Sequence, residues 1–194
     1  MIAYVFWHRP APGAAAGRYE EACARFHAGL AAHRPGGLIG SACLRAPALP
    51  WLAGGGAGYE DWYVLEDFGA LGVLNEAAVG RGHASSHDGA AKLMGEGTGS
   101  IYRLLDGGAA PQRAGVAVWI APAGGHDASR FEDFLADGID RADAGLWRRQ
   151  LALGPAPELC LLAPQVPDGV HETRLPAGWA VEAVGREAVS YTAR

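Results

Sequence analysis

Residues 4–21, YVFWHRPAPGAAAGRYEE, and residues 116–133, VAVWIAPAGGHDASRFED, lie over one another without a gap. At a constant offset of 112 residues Trp7 meets Trp119, Pro10 meets Pro122 and Arg18 meets Arg130. In the same register Tyr19 meets Phe131, Glu20 meets Glu132 and Glu21 meets Asp133. Self-similarity of this kind limits the possible folds more than any composition figure does. Two long units, rather than many short ones, point to a duplicated domain and not to a solenoid.

Each unit reads in the same order. IAYVFWHR (2–9) is short, β-branched and aromatic and ends at a Pro-Gly loop, which predicts a strand. In RYEEACARFHAGLAAH the apolar positions Tyr19, Ala22, Cys23, Phe26 and Leu30 step by three and four, so a helix follows, stopped by Pro35-Gly36-Gly37. LIGSACLRA (38–46) and YEDWYVLE (59–66) are strands separated by the Pro/Gly-rich loop PALPWLAGGGAG. Asp67 is placed to cap a helix whose Phe68, Leu71, Leu74 and Ala78 share a face. SSHDGAAKLMG gives a further helical turn or two, and GSIYRLL (99–105) a fourth strand. That order, βαββαβ, is the ferredoxin-like unit. After a linker at 106–113, strands at 114–121, 146–153 and 158–163 and a helix at 129–142 repeat the pattern. The stretch PQVPDGVHETRLPAGW, with three prolines and no helical period, predicts that the second unit lacks its second helix, and GWAVEAV and EAVSYTAR finish with strand-like alternation.

A four-stranded sheet covered by helices on one face leaves the other face open, and a large exposed apolar face is unusual. Two such sheets close that face by packing on each other. The expected fold class is therefore α+β: tandem ferredoxin-like units at 1–107 and 113–194, packed sheet to sheet as an internal pseudo-dimeric barrel. With its aromatic first strand and RYEE…F helix, such a chain resembles the dimeric α+β barrel superfamily in fused form. That superfamily includes cofactor-independent quinol-type monooxygenases, haem-degrading oxygenases, chlorite dismutases and lactone isomerases. The resemblance implies a small, often aromatic ligand in a cavity between a sheet and its helices, and it fixes no single chemistry.

The two copies differ where chemistry would sit. His8-Arg9 in the first becomes Ile120-Ala121 in the second, so a working pocket is expected in the first unit. Alternation places Tyr4, Phe6 and His8 on one sheet face and Val5, Trp7 and Arg9 on the other, without saying which face looks inward. His8 and Arg9 are read either as catalytic, as base and oxyanion neutraliser, or as strand-end side chains that meet water and pair with Glu60 or Asp61. His83 and His87, four apart, would share a helix face as metal ligands need. Ser85 and Asp88 read as a capping box, which puts His83 before the helix and His87 in its first turn. There His87 stays neutral and open to a proton, a ligand or iron, unless the segment is simply a solvated glycine-rich loop. Trp7, Trp62, Tyr63 and Tyr102 fall on neighbouring strands, either as core or as the flat walls of a ring-shaped pocket. Trp51, in the long loop, is a lid over that pocket or a plug in a gap.

Other classes lack support. No phosphate-cradling loop, dinucleotide fingerprint, nucleophile elbow or CxxC pair occurs, GGGAG at 54–58 leading into a strand rather than a helix. Net charge is −5 with a single lysine, Lys92, so neither nucleic acid nor an anionic membrane is an expected partner. Hydrophobic residues make up 49% of the 194 and charged residues 19%, which suits a packed core. No apolar run reaches the ~20 residues of a membrane span and the N-terminus lacks a signal pattern, so a cytoplasmic setting is expected, as monomer or homodimer. Cys23, Cys43 and Cys160 are read as core thiols, and no metal is assigned. Two functions remain open at this point: a cofactor-independent or haem-dependent oxidoreductase acting on an aromatic or quinone-like molecule, and a non-catalytic binding or structural protein with filled cavities. Leu44, Val64, Phe26 and Ile139 are expected in the core.

Overall fold

The computed structural model describes residues 1–53, 56–80, 82–108, 110–122, 144–166 and 179–189. The first strand, β1 (Ile2–Pro10), leads to α1 (Ala16–Ala32), β2 (Leu38–Ala46) and β3 (Gly58–Leu65). Two helices follow, α2 (Phe68–Val79) and α3 (Ala84–Ala91), and then the long β4 (Met94–Gly107). A 3-10 turn at Pro111–Arg113 precedes β5 (Val116–Pro122), β6 (Gly145–Ala152), β7 (Leu159–Ala163), β8 (Trp179–Gly185) and the short β9 (Glu187–Ala188). Asp67 caps α2 as its position predicts, its Oδ1 accepting from the Ala70 amide at 2.9 Å. The other predicted cap fails: α3 starts after His83, and Ser85 and Asp88 lie inside the helix. The helix predicted at 129–142, with Ile139, lies outside the described residues, as do most of 164–178 and the end of the chain.

The nine described strands form one antiparallel sheet in the order β8-β5-β7-β6-β4-β1-β3-β2-β9. β8 pairs with β5 at one end and β9 with β2 at the other, and only Arg186 separates them in the chain. One short stretch thus touches both ends of the strand order, and the sheet curls into a nearly closed barrel. No described helix is long and apolar enough to cross a membrane.

The barrel interior is filled from both halves of the chain. Val5, Trp7, Trp62, Val64 and Tyr102 pack with Trp119, Trp147, Cys160 and Leu162, all buried. Trp7 and Trp119 meet edge to face at 5.1 Å between centroids. Trp51 packs edge-on against Trp7 and Trp119, at 5.3 and 5.4 Å, and plugs the interior. The odd-numbered side of β1 therefore faces inward, and Tyr4, Phe6 and His8 face the helices. Phe26, Leu44 and Val64 are buried as expected.

Strand β3 is buried along its whole length, yet it carries two adjacent carboxylates. Alternation sends Glu60 into the barrel and Asp61 toward the helices. Inside, Glu60 Oε1 accepts from the indoles of Trp7 (3.3 Å) and Trp119 (3.1 Å). Its Oε2 accepts from Trp62 (3.2 Å) and from Arg186 (2.9 Å), whose guanidinium lies over the Trp62 ring. Both charges are fully buried. Four donors saturate this carboxylate, which pins together three strands and the link that closes the barrel.

Candidate functional site

Asp61 has a different setting. The β1–β3 register puts Phe6 opposite Asp61 and His8 opposite Tyr59, and the β2–β3 register puts Cys43 on the other side of Asp61. All these side chains point to the outer face, where α1 lays down Tyr19, Cys23, Phe26 and His27. His8 Nε2 and His27 Nε2 each lie 3.2 Å from Asp61 Oδ1. Tyr63 donates to Asp61 Oδ2 at 3.0 Å, and Tyr19 shares a 2.5 Å hydrogen bond with His8 Nδ1. The two imidazole contacts are close but poorly aligned. His8 Nε2, Asp61 Oδ1 and both His27 nitrogens are thus buried without a well-formed hydrogen bond. Orphaned polar atoms of this kind need an explanation in a well-packed protein.

The electrostatics follow from the contacts. Burial alone would raise the Asp61 carboxyl, but His8, and then His27, hold it well below the usual carboxylate range. Burial first, and Asp61's charge second, push the Tyr63 phenol well up and the Tyr4 phenol up to about 12. Burial, followed by the Cys23 thiol and Asp61, likewise raises Tyr19, which keeps its proton. Cys43 is raised by its contact with the Cys23 thiol and by burial.

This polar corner opens into a cavity of about 290 Å³ between the sheet and the three helices. Tyr4, Phe6 and Tyr63 form its sheet wall; Phe26, Leu71, Leu74 and Ala78 form its helix wall. Gly97 and Gly99 on β4 leave room for the Phe6 and Tyr4 rings, which a Cβ at either position would strike. His87 stands on α3 at the cavity wall, about one-third exposed, edge-on to Phe26 at 5.6 Å.

Of the residues singled out from sequence, the structure brings His8, Tyr63 and His87 to this cavity and sends the others elsewhere. Arg9 faces the opposite side of the sheet and pairs with Glu96 at 2.9 Å, not with Glu60 or Asp61, and it does not line the cavity. Trp7, Trp62, Tyr102 and Trp51 line the barrel interior because they share the inward face with Glu60. His83 is buried at the start of α3 and bonds the His33 carbonyl at 3.1 Å, tying α3 to the end of α1. His27, Asp61, Tyr19 and Cys43 were not singled out. His27 was readable, since it stands four residues after Cys23 on the buried stripe of α1.

A haem does not fit this cavity. Its volume of about 290 Å³ is at the lower end of the ~300–1000 Å³ range of drug-sized pockets. The chain matches no protein-family profile and no curated protein by sequence. Solved structures that it is similar to in fold include the following three. The first is an anthrone oxidase-like protein, at TM-score 0.55 and 8% identity, with 97% of this chain and 93% of that chain covered. The second is a "putative monooxygenase" from Fusobacterium nucleatum subsp. nucleatum, at TM-score 0.61 and 8% identity, covering 97% and 92%. The third is a "putative monooxygenase" from Lactobacillus acidophilus NCFM, at TM-score 0.51 and 10% identity, covering 97% and 95%. At such low identity the likeness is one of fold, a barrel-like α+β architecture.

Proposed function

We propose that this protein binds a small aromatic or quinone-like molecule in the cavity of its first half and oxidises it in the manner of a monooxygenase. The observation that carries the reading is the contrast between two neighbouring carboxylates. Glu60 is saturated by four donors, whereas the Asp61 corner keeps orphaned polar atoms beside an aromatic-walled cavity. A planar ligand would lie between the Phe6–Tyr63 wall and α2, with its oxygen at His8 and Asp61. His8, fixed by Tyr19 and Asp61, is the group placed to accept the proton of a phenolic hydroxyl. The electron-rich ring then supplies the electrons that reduce O2, with one oxygen entering the ring and the other leaving as water. The names of the fold neighbours agree with this chemistry.

We also read the chain as tandem ferredoxin-like units at 1–107 and 113–194. The strand orders β4-β1-β3-β2 and β8-β5-β7-β6 support this, since each runs fourth, first, third, second within its own half.

The test is 1-naphthol under air. Its oxidation by one O2 to 1,4-naphthoquinone and one water is balanced, and it is followed by oxygen uptake and quinone absorbance. Turnover is expected, and its loss in His8→Ala and Asp61→Asn. Saturable binding without turnover would support the binding-protein alternative, and absence of binding would reject the site.

A further inference from the structure

We propose that the polar corner of this cavity is a binding site for a divalent transition-metal ion of the zinc type, held by His8, Cys43 and Asp61. The inference rests on the reading of this corner as the ligand site, and deepens it by naming the ion that site would take.

The donors come together from the register of three strands. His8 lies on β1 two residues on from Phe6, which is opposite Asp61 on β3, and Cys43 is opposite Asp61 on β2. The three ligand atoms lie within 4.8 Å of one another and all three residues are buried. An ion about 2.0–2.3 Å from each tetrahedral donor needs those donors about 3.3–3.6 Å apart, and His8 Nε2 is 3.2 Å from Asp61 Oδ1. The sulfur, at most 4.8 Å from the other two donors, has about 1.2 Å or less to close to reach that spacing.

Two of the orphaned atoms are ones an ion would use. His8 Nε2 and Asp61 Oδ1, like both His27 nitrogens, are buried without a well-formed hydrogen bond, whereas Asp61 Oδ2 and His8 Nδ1 are engaged. Engagement of the far atom is how metal-bound histidines and carboxylates are oriented. The Tyr19 oxygen can accept the Nδ1 proton and leave the Nε2 lone pair for the ion, while Tyr63 steadies the carboxylate. His27, 3.2 Å from Asp61 Oδ1, completes the surround.

Charge and ligand type agree. One thiolate and one carboxylate neutralise a divalent cation, which a buried site requires. Imidazole with thiolate favours zinc or cobalt over magnesium or calcium. Three protein ligands leave a fourth position open, the pattern of a catalytic rather than a structural site. His8 and Asp61 both line the cavity, so an ion they hold is next to the space for a ligand. With an ion there His8 is a ligand rather than the proton acceptor proposed above, and the ligand's oxygen meets the cation in place of the imidazole.

Cobalt(II) is the probe. Chelator-treated full-length protein titrated with Co2+ alone is expected to bind one equivalent, with intense visible d–d bands of a tetrahedral site and a near-ultraviolet sulfur-to-cobalt charge-transfer band. Zn2+ should displace both signals stoichiometrically. Cys43→Ser should abolish the charge-transfer band, Cys23→Ser should keep it, and Tyr19→Phe should weaken binding roughly 10–100-fold. Absence of the band in the unaltered protein, or its survival in Cys43→Ser, overturns the proposal. Naphthol binding to metal-free protein is measured separately. Naphthol binding with no cobalt band rejects the ion and keeps the cavity, and a cobalt band without naphthol binding does the reverse.

Discussion

Replacing Glu60 by Gln tests how far one buried carboxylate holds the barrel shut. The carboxylate accepts from Trp7 and Trp119 on one oxygen and from Trp62 and Arg186 on the other. A carboxamide can serve only one of these pairs and turns an NH2 donor against the other. Whichever way it sits, two donors lose their acceptor, and Arg186, with a fully buried side chain, loses its counter-charge. Leaving one member of a buried ion pair alone costs about 3–5 kcal/mol, a large share of the ~5–15 kcal/mol that stabilises a typical domain. For a chain of this size the melting temperature should fall by roughly 6–20 °C, at about 2–4 °C per kcal/mol. Urea unfolding followed by tryptophan fluorescence reads the loss directly, as a lower midpoint at unchanged slope. Adding Arg186→Met to Glu60→Gln removes the stranded charge, so the double variant should recover most of the lost stability. If Glu60→Gln costs less than about 1 kcal/mol, or the double variant is no better than the single, this carboxylate does not pin the core as argued.

Further outcomes follow from the same geometry. Gly97→Ala pushes the Phe6 ring toward the cavity, and overpacking of about 1.4 kcal/mol would weaken naphthol binding roughly tenfold. Gly72→Ala, which meets no neighbour, should leave binding unchanged, both variants being read by fluorescence titration with naphthol. At alkaline pH the unfolded chain gives up phenol protons near the ordinary value of 10.0, while folded Tyr4 keeps its proton to about 12 and Tyr102, buried in the core, is also raised. The folded state then binds more protons than the unfolded one, so stability should hold up to about pH 10 and fall as pH rises through 12. A denaturation midpoint that stays level across that interval would contradict these burial assignments. Haemin titration should give no Soret band that disappears in His8→Ala or His87→Ala, because the cavity does not fit a porphyrin; such a band would reopen the haem reading.

Much of the architecture was legible because it is written in local chemistry. The strand–helix order of the first half, the Asp67 cap and the buried Phe26, Leu44 and Val64 all follow from periodicity and punctuation. The facing of β1 was not legible. Tyr4 and Phe6 are as apolar as Val5 and Trp7, so a period of two carries no sign when both faces are covered. That ambiguity left the tryptophans open between core and pocket wall, and the structure puts them in the barrel interior. Ser85 and Asp88 imitate a cap, but the helix begins earlier, where buried His83 ties it to α1. The site was half visible. His8 was found from the difference between the two copies, whereas Asp61, Cys43 and His27 join it only through the register of three strands and one helix. Separations of 35 and 18 residues between His8, Cys43 and Asp61 make no motif, and only pairing brings them together.

The claim at the centre of this account is that the space between β1, β3 and the helices is a ligand site. A crystal structure of the protein soaked with 1-naphthol addresses it most directly. The prediction is density for a flat ring against Phe6 and Tyr63, with its oxygen within about 2.6–3.2 Å of the His8–Asp61 corner or of an ion held there. A cavity closed by its own side chains, or naphthol seated only elsewhere on the protein, would contradict it.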